Sequence, residues 1–268
     1  PSPAGAVLGN WAAEAASEGD TVWPRWAAAV EETRQTAARL IGAHPDEIAL
    51  VPNTTTGISL VAEGIDWRNG DNAVTLADEF PSNAYPWLHL ADRGVETRRV
   101  ATDNGRLDLK QLAAACDERT RVVSVSWIGY STGYRQQIDR IAEIAHAAGA
   151  FRFGHAIRGL GAFPNDVDES QTDVLAADGH KWMLGPEGAG IFYVRQNRLD
   201  ELRPLGVGWN SVIHANDFSR IELNLKPTAA RYEGGSQNMA GMMALGASLK
   251  LLTELGTQIV AESTLDMS

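Results

Sequence analysis

One cysteine occurs in 268 residues, and cations are scarce: 23 lysines and arginines stand against 34 aspartates and glutamates, a formal net charge of -11. The single thiol, Cys116, excludes a disulfide within the chain and a zinc cluster built from thiolates. It lies in the Ala-rich helical stretch LAAACDE, where a core thiol is expected rather than a nucleophile. No metal site is expected. The acidic balance argues against nucleic acid and anionic membrane surfaces as partners, and no local basic patch offsets it. No apolar run approaches the roughly eighteen residues of a membrane span, and the first residues lack the charged-then-apolar pattern of a signal segment. A soluble, cytoplasmic protein is expected.

The length suffices for one large α/β domain with a sizeable core. Residues 5–18 and 24–43 are Ala-rich with apolar residues at helical spacing, and Trp26, Val30, Thr33 and Ala37 share one face of the second segment. Residues 1–45 are therefore read as an N-terminal helical segment and 46–268 as the large domain. Short β-branched or apolar runs predict strands over 47–51, 73–77, 95–101, 121–126, 174–177 and 189–194. Between them, helices are predicted after Asn53 or Thr54, over 109–116 with Asp108 as N-cap, and along the stripe Ile138, Ile141, Ile144, Ala145 and Ala148, ending at Gly149. His146 on that last helix reads as structural, and Met239, Met242 and Met243 as packing. Strands alternating with helices predict a mostly parallel, doubly wound sheet with its ligand at the carboxyl ends of the strands.

The stretch TDVLAADGHKWMLGPEGAG, residues 172–190, organises the rest. Its glycines and proline forbid a regular helix straight after the apolar run, so Lys181 is expected on a turn at a strand end. A lysine held near the interior beside His180 would have a lowered pKa and a free amine, as Schiff-base chemistry with an aldehyde requires. A surface lysine in a loop is the plainer alternative. Earlier in the chain, PNTTTGISLVAEGI offers threonines and free backbone N–H groups at a helix N-terminus. That is either a phosphate seat or plain capping.

The block ADGHKWMLGPEGAGIFYV resembles the cofactor-lysine motif of the class V aminotransferase superfamily, pyridoxal-phosphate enzymes of fold type I. Within it the chain is most similar to the isopenicillin-N-epimerase-like or cysteine-desulfurase-like branch, from about Trp23 to about Leu252. The resemblance implies the fold type I large domain, a mostly parallel mixed sheet flanked by helices, with pyridoxal 5'-phosphate joined to Lys181. It implies that Thr54 and Thr55 hold the cofactor phosphate, with His180 also meeting it, and that Phe80 stacks on the pyridine face where relatives often carry histidine. Phenylalanine can stack but cannot exchange protons. Tyr130 lies after a predicted strand and can converge on the same cleft. Asp178 stands where many relatives carry serine. Ser236, after Gly235, takes the place of a threonine that reaches across a dimer interface to the partner's cofactor phosphate, which implies a homodimer. The glycine-rich turn could equally be a lead-in to the next helix, with Asn238 as cap.

One block departs from the pattern. In FRFGHAIRGLGAFPNDV, His155 occupies the position of an aspartate that keeps the pyridine nitrogen protonated, and Arg158 that of a glutamine near the ring hydroxyl. A neutral imidazole can only share a hydrogen bond there, and a charged one opposes ring protonation, so the electron sink is weakened. Arg158 could instead pair with the ring phenolate. Three readings stay open: a retuned enzyme, a cofactor-binding scaffold that has lost most chemistry, and a shifted alignment with both side chains pointing elsewhere. The family's small C-terminal domain, with its arginine for the substrate carboxylate, is expected to be absent or truncated here. The function expected is a transformation of an amino acid at the α- or β-carbon, by transamination, racemisation or elimination, with Lys181 as base. Cysteine desulfuration is not favoured, because Cys116 is not in a catalytic context. The alternative is a silent cofactor-binding or dimerisation scaffold.

Overall fold

A computed structural model describes residues 2–267. Helix α1 spans Pro3–Glu18 and α2 spans Trp23–Ile41, with Ser2 capping the first through its side chain and Gly42, in the left-handed region, ending the second. Strand β1 (Ile48–Val51) leads through Pro52 to α3 (Thr54–Gly64), whose N-cap Asn53 accepts the N–H of Thr56 at 2.8 Å. Then follow β2 (Asn72–Leu76), the short helix α4 (Tyr85–His89), β3 (Glu96–Val100), and a hairpin of β4 (Thr102–Asp103) and β5 (Arg106–Leu107). After α5 (Leu109–Ala115), capped by Asp108, come β6 (Thr120–Ser126), α6 (Ile138–Ala147) and β7 (Phe151–His155). The chain continues through β8 (Val174–Asp178), β9 (Gly190–Val194), α7 (Met239–Leu255) and α8 (Thr257–Asp266). Among the described residues no helix is long and apolar enough to cross a membrane.

Seven strands form one sheet in the order β1-β9-β8-β7-β6-β2-β3. Strands β8, β7, β6, β2 and β3 run parallel, and β9 is antiparallel to both of its neighbours. Successive residues alternate between two cores. Ile48, Leu50, Leu175, Ala177, Ile191 and Tyr193 pack with α2 and α7 on one face, while Ala49, Val51, Val174, Ala176, Phe192 and Val194 pack with α3 and Trp87 on the other. Burial on both faces is why these strands read as apolar runs rather than alternations. Each fully buried large apolar side chain contributes on the order of 1.5–3 kcal/mol.

The face of α2 read from the sequence is the buried one, since Trp26, Val30, Thr33 and Ala37 are each 4% exposed or less. The N-terminal helices and the sheet thus share one core. Helix α3 lies close on β8: a Cβ on Gly57 would come within 2.6 Å of the Ala176 Cβ. His146 takes the structural role expected of it, its Nε2 lying 2.8 Å from Asp173 Oδ2. Met242 is buried, and Met239 and Met243 pack against the same core.

Candidate active site

Strand register brings the chemistry to one edge of the sheet. Val51 pairs with Gly190 and Gly190 with Asp178, so the end of β1, the start of β9 and the end of β8 lie in a row. Ser126 pairs with His155, the last residues of β6 and β7, and His155 pairs with Ala176. The loops leaving β1, β2, β6, β7 and β8 therefore open on the same side. They carry Thr54 and Thr55, Phe80, Tyr130, Arg158, and Lys181 with its neighbours.

Lys181 sits on the turn after β8, as its flanking glycines require. Gly161 (φ +89°) lies beneath this turn, with no room for a Cβ against the Trp182 carbonyl, so glycine is needed both for its backbone angle and for its size. The Lys181 Nζ lies 5.7 Å from the centre of the Phe80 ring. Burial first, and the charge of Arg158 second, lower the pKa of this amine, while Asp178 pulls it the other way. Phe80 meets Tyr130 edge to face at 5.6 Å, and the Arg158 guanidinium stands 5.4 Å from the Phe80 ring centre and 5.8 Å from that of Tyr130. Four of the residues singled out from the sequence thus form one cluster of two rings and two cations.

The loop bearing Phe80 is fixed just after the ring by two adjacent residues. Ser82 Oγ accepts the hydroxyl of Thr55 at 2.9 Å, and Asn83 Oδ1 accepts that of Ser124 at 2.5 Å. The first link ties the N-terminus of α3 to the aromatic cluster. Thr54 is buried, and its Oγ1 has no hydrogen-bond partner; the same is true of Arg158 Nη1.

His155 is 3% exposed. Burial, then the charges of Arg158 and Lys181, push its pKa down to about 3, so it is neutral near pH 7. Its Nδ1 lies 2.6 Å from Ser126 Oγ, which also bonds the buried carboxylate of Glu79. Neither Glu79 nor Ser126 was singled out from the sequence. A carboxylate immediately before Phe80, at the end of a strand running to the same edge, was the available signal for the first.

Asp178 closes β8 and is buried. Its Oδ1 accepts the N–H of Gly179 at 2.9 Å and lies 3.3 Å from His180 Nδ1, so these two candidates pair with each other. Ser236 lies elsewhere. It is exposed and lines a cleft of about 630 Å³ beside Trp23, Arg34, Lys226 and Glu233, which none of the other candidates lines. Cys116 follows α5, packs against the core cluster of Val123 and Ile141, and has its pKa pushed up to about 11 by burial. It is an inert thiol, as expected.

Residues 4–268 match the model of the family described as aminotransferase class-V. A probable cysteine desulfurase of Methanothermobacter thermautotrophicus is 35% identical over 240 residues, covering 89% of this chain and 59% of that protein. A cysteine desulfurase of Dickeya dadantii is 33% identical over 246 residues, covering 90% and 59%. The chain thus spans about 59% of the length of these curated relatives. Among solved structures, the apo cysteine desulfurase of Thermococcus onnurineus NA1 superposes with a TM-score of 0.84 at 25% identity, covering 96% of this chain and 65% of that one. The cystine C-S lyase C-DES, in complex with its product cysteine persulfide, gives 0.90 at 24%, covering 98% and 71%, and supports the fold.

Proposed function

The chain belongs to the aminotransferase class-V family, and from that premise we propose that it is the coenzyme-binding part of a pyridoxal-phosphate enzyme acting on an amino acid at the α- or β-carbon. The observation that carries this reading is Lys181. It is an amine with a lowered pKa, set at the carboxyl edge of the sheet against the Phe80 ring, whose loop is tied to the N-terminal turn of α3 by the Thr55–Ser82 link.

The residues present fit pyridoxal 5'-phosphate. The buried Thr54 hydroxyl and an Arg158 N–H both lack partners, and an anion is their natural complement. Thr54 and Thr55 would hold the phosphate, and Phe80 would flank the ring. Arg158 would face the ring oxygen, and His155 would stand at the position of the ring nitrogen. When bound, the coenzyme supplies an aldehyde and an electron-withdrawing ring.

The chain supplies the rest. Burial and Arg158 raise the fraction of Lys181 present as free amine, and the same amine would take a proton from the substrate carbon. Asp178 holds His180 through the 3.3 Å contact at its Nδ1. Ser236 is proposed to serve the site of a second copy in a homodimer; a chain that sediments as a monomer when loaded would remove that role.

The names of the curated relatives raise cysteine desulfuration for the whole protein. The thiol within this chain does not suit that chemistry, since Cys116 is held protonated by burial far above neutral pH. The specific observation favouring the rival reading, a silent cofactor-binding scaffold, is the uncharged His155 in place of a carboxylate. Loading the chain with pyridoxal phosphate and adding a panel of amino acids separates the two. A visible absorbance band that shifts with an amino acid is expected; a band that forms and never shifts would leave the scaffold.

A further inference from the structure

Three buried side chains, two at the ends of the adjacent strands β6 and β7 and one on the loop after β2, form a single chain of hydrogen bonds. Ser126 Oγ lies 2.6 Å from His155 Nδ1 and bonds Glu79 Oε2, while Glu79 Oε1 accepts the backbone N–H of Ser126 at 2.6 Å. Glu79 is 8% exposed, Ser126 4% and His155 3%. Glu79 Oε2 lies 4.0 Å from His155 Nδ1, so the two communicate through the hydroxyl.

A hydroxyl has one proton to donate, which leaves only two directions for such a chain. With Glu79 ionised, Ser126 gives its proton to Oε2 and must accept from His155, so Nδ1 carries the hydrogen and Nε2 is bare. With Glu79 protonated, the proton must sit on Oε2, because Oε1 already faces an N–H. Ser126 then accepts from Glu79 and donates to a bare Nδ1, and the hydrogen of the neutral imidazole moves to Nε2.

We propose that Glu79, acting through Ser126, is a positioning residue that fixes His155 as the Nδ1–H tautomer and leaves Nε2 as a hydrogen-bond acceptor. Two donors converge on the carboxylate from Ser126, and the Arg158 cation is close enough to interact with it. Both favour the ionised form, while burial above all, and the charge of Asp78, raise the pKa above its usual value, so the carboxylate is sought on the alkaline side of neutral. Burial first, then the charges of Arg158 and Lys181, keep the imidazole of His155 neutral. What Nε2 would meet rests on the coenzyme reading above: a bare nitrogen is the partner a protonated ring nitrogen needs. The chain would thus place a carboxylate two hydrogen bonds behind the ring rather than directly against it.

The test is nitrogen NMR of the full chain, labelled with ¹⁵N-histidine and free of coenzyme, at mildly alkaline pH. The His155 signals are identified by their loss in His155→Gln. Wild type is expected to show a protonated-type Nδ1 and a bare Nε2. In Glu79→Gln the amide oxygen must take the Ser126 N–H, which turns the amide NH₂ toward Ser126 Oγ and reverses the chain. The tautomer is expected to invert, and in a Ser126→Ala background the Glu79→Gln change should have no effect on it. An Nε2–H tautomer in wild type, or no inversion in Glu79→Gln, overturns the proposal. The wild-type spectrum decides alone should the variants not fold. Because no coenzyme is present, a chain that fails to capture the aldehyde can still pass this test, so the two readings fail separately.

Discussion

A histidine with almost no solvent contact and two cations nearby holds a proton weakly, and its weakness is a stability term. In the folded chain the His155 pKa is about 3, against 6.5 for the free side chain, with burial as the main cause. Between those values the unfolded chain binds a proton that the folded chain does not. The stability from this group is therefore full above about pH 6.5 and is lost as pH falls toward about 3, at ~1.4 kcal/mol per pH unit. Glu79 has the opposite sign. Its folded carboxyl is raised above 4.5, so acidification through that window favours the fold. Because Glu79 shares a hydrogen-bond chain with His155, its titration is removed by comparing Glu79→Gln with the double variant Glu79→Gln, His155→Gln. Denaturant unfolding at pH 7 and pH 5 should show Glu79→Gln losing stability more steeply than the double variant, by about 1.4 kcal/mol per unit below about pH 6.5. Equal slopes would mean that His155 is solvated or paired. The sequence marked His155 and Arg158 as departures from the family pattern, but it could not show that their neighbours Glu79 and Ser126 answer for one of them.

Helix α2, strand β1 and the segment that leads into helix α7 are tied by one buried ion pair. Arg34 reaches Glu233 through two bonds, at 2.5 and 3.0 Å, and also donates to the Ile48 carbonyl at 2.6 Å. Glu233 in turn accepts the N–H of Leu50 at 2.7 Å and the side-chain amide of Gln237 at 2.7 Å. Removing one partner leaves the other charged and buried, so Glu233→Ala should cost about 3–5 kcal/mol in equilibrium unfolding. Arg34→Met combined with Glu233→Leu should recover much of that loss; a single variant as stable as wild type would mean that the pair is solvated.

Such ties were not legible in the sequence, since their partners lie far apart along the chain. The elements they join were. Strands β1, β2, β3, β6, β8 and β9 lie within a residue of the runs predicted for them, because strands buried on both faces are continuous apolar segments. Strand β7 escaped detection because Arg152 and Gly154 interrupt FRFGH. Arg152 is buried, with burial lowering its pKa to about 10, and it spends one N–H on Thr172 Oγ1 at 3.2 Å. A charged residue inside a central strand has no signature in hydrophobic pattern. The β4–β5 hairpin turns on Asn104 and Gly105, both at positive φ, a dipeptide whose turn signal was passed over.

At the scale of the whole molecule, the parallel sheet delivers loops from five strands to one edge, and a lysine, an arginine and two aromatic rings meet there. The segment after β9 exposes Val207, Ile213, Phe218, Ile221 and Leu223. The fold and the position of Lys181 were readable because a glycine-rich turn after an apolar run constrains the backbone locally. The cleft holding Ser236 was not, since it depends on how α2 and α7 pack. The central claim is that the amine at position 181 captures an aldehyde. Incubation with pyridoxal phosphate, reduction with borohydride and peptide mass analysis should place the added coenzyme mass on the peptide containing Lys181, and Lys181→Ala should remove it. An unaltered mass in wild type, or the same modification in Lys181→Ala, would contradict the account.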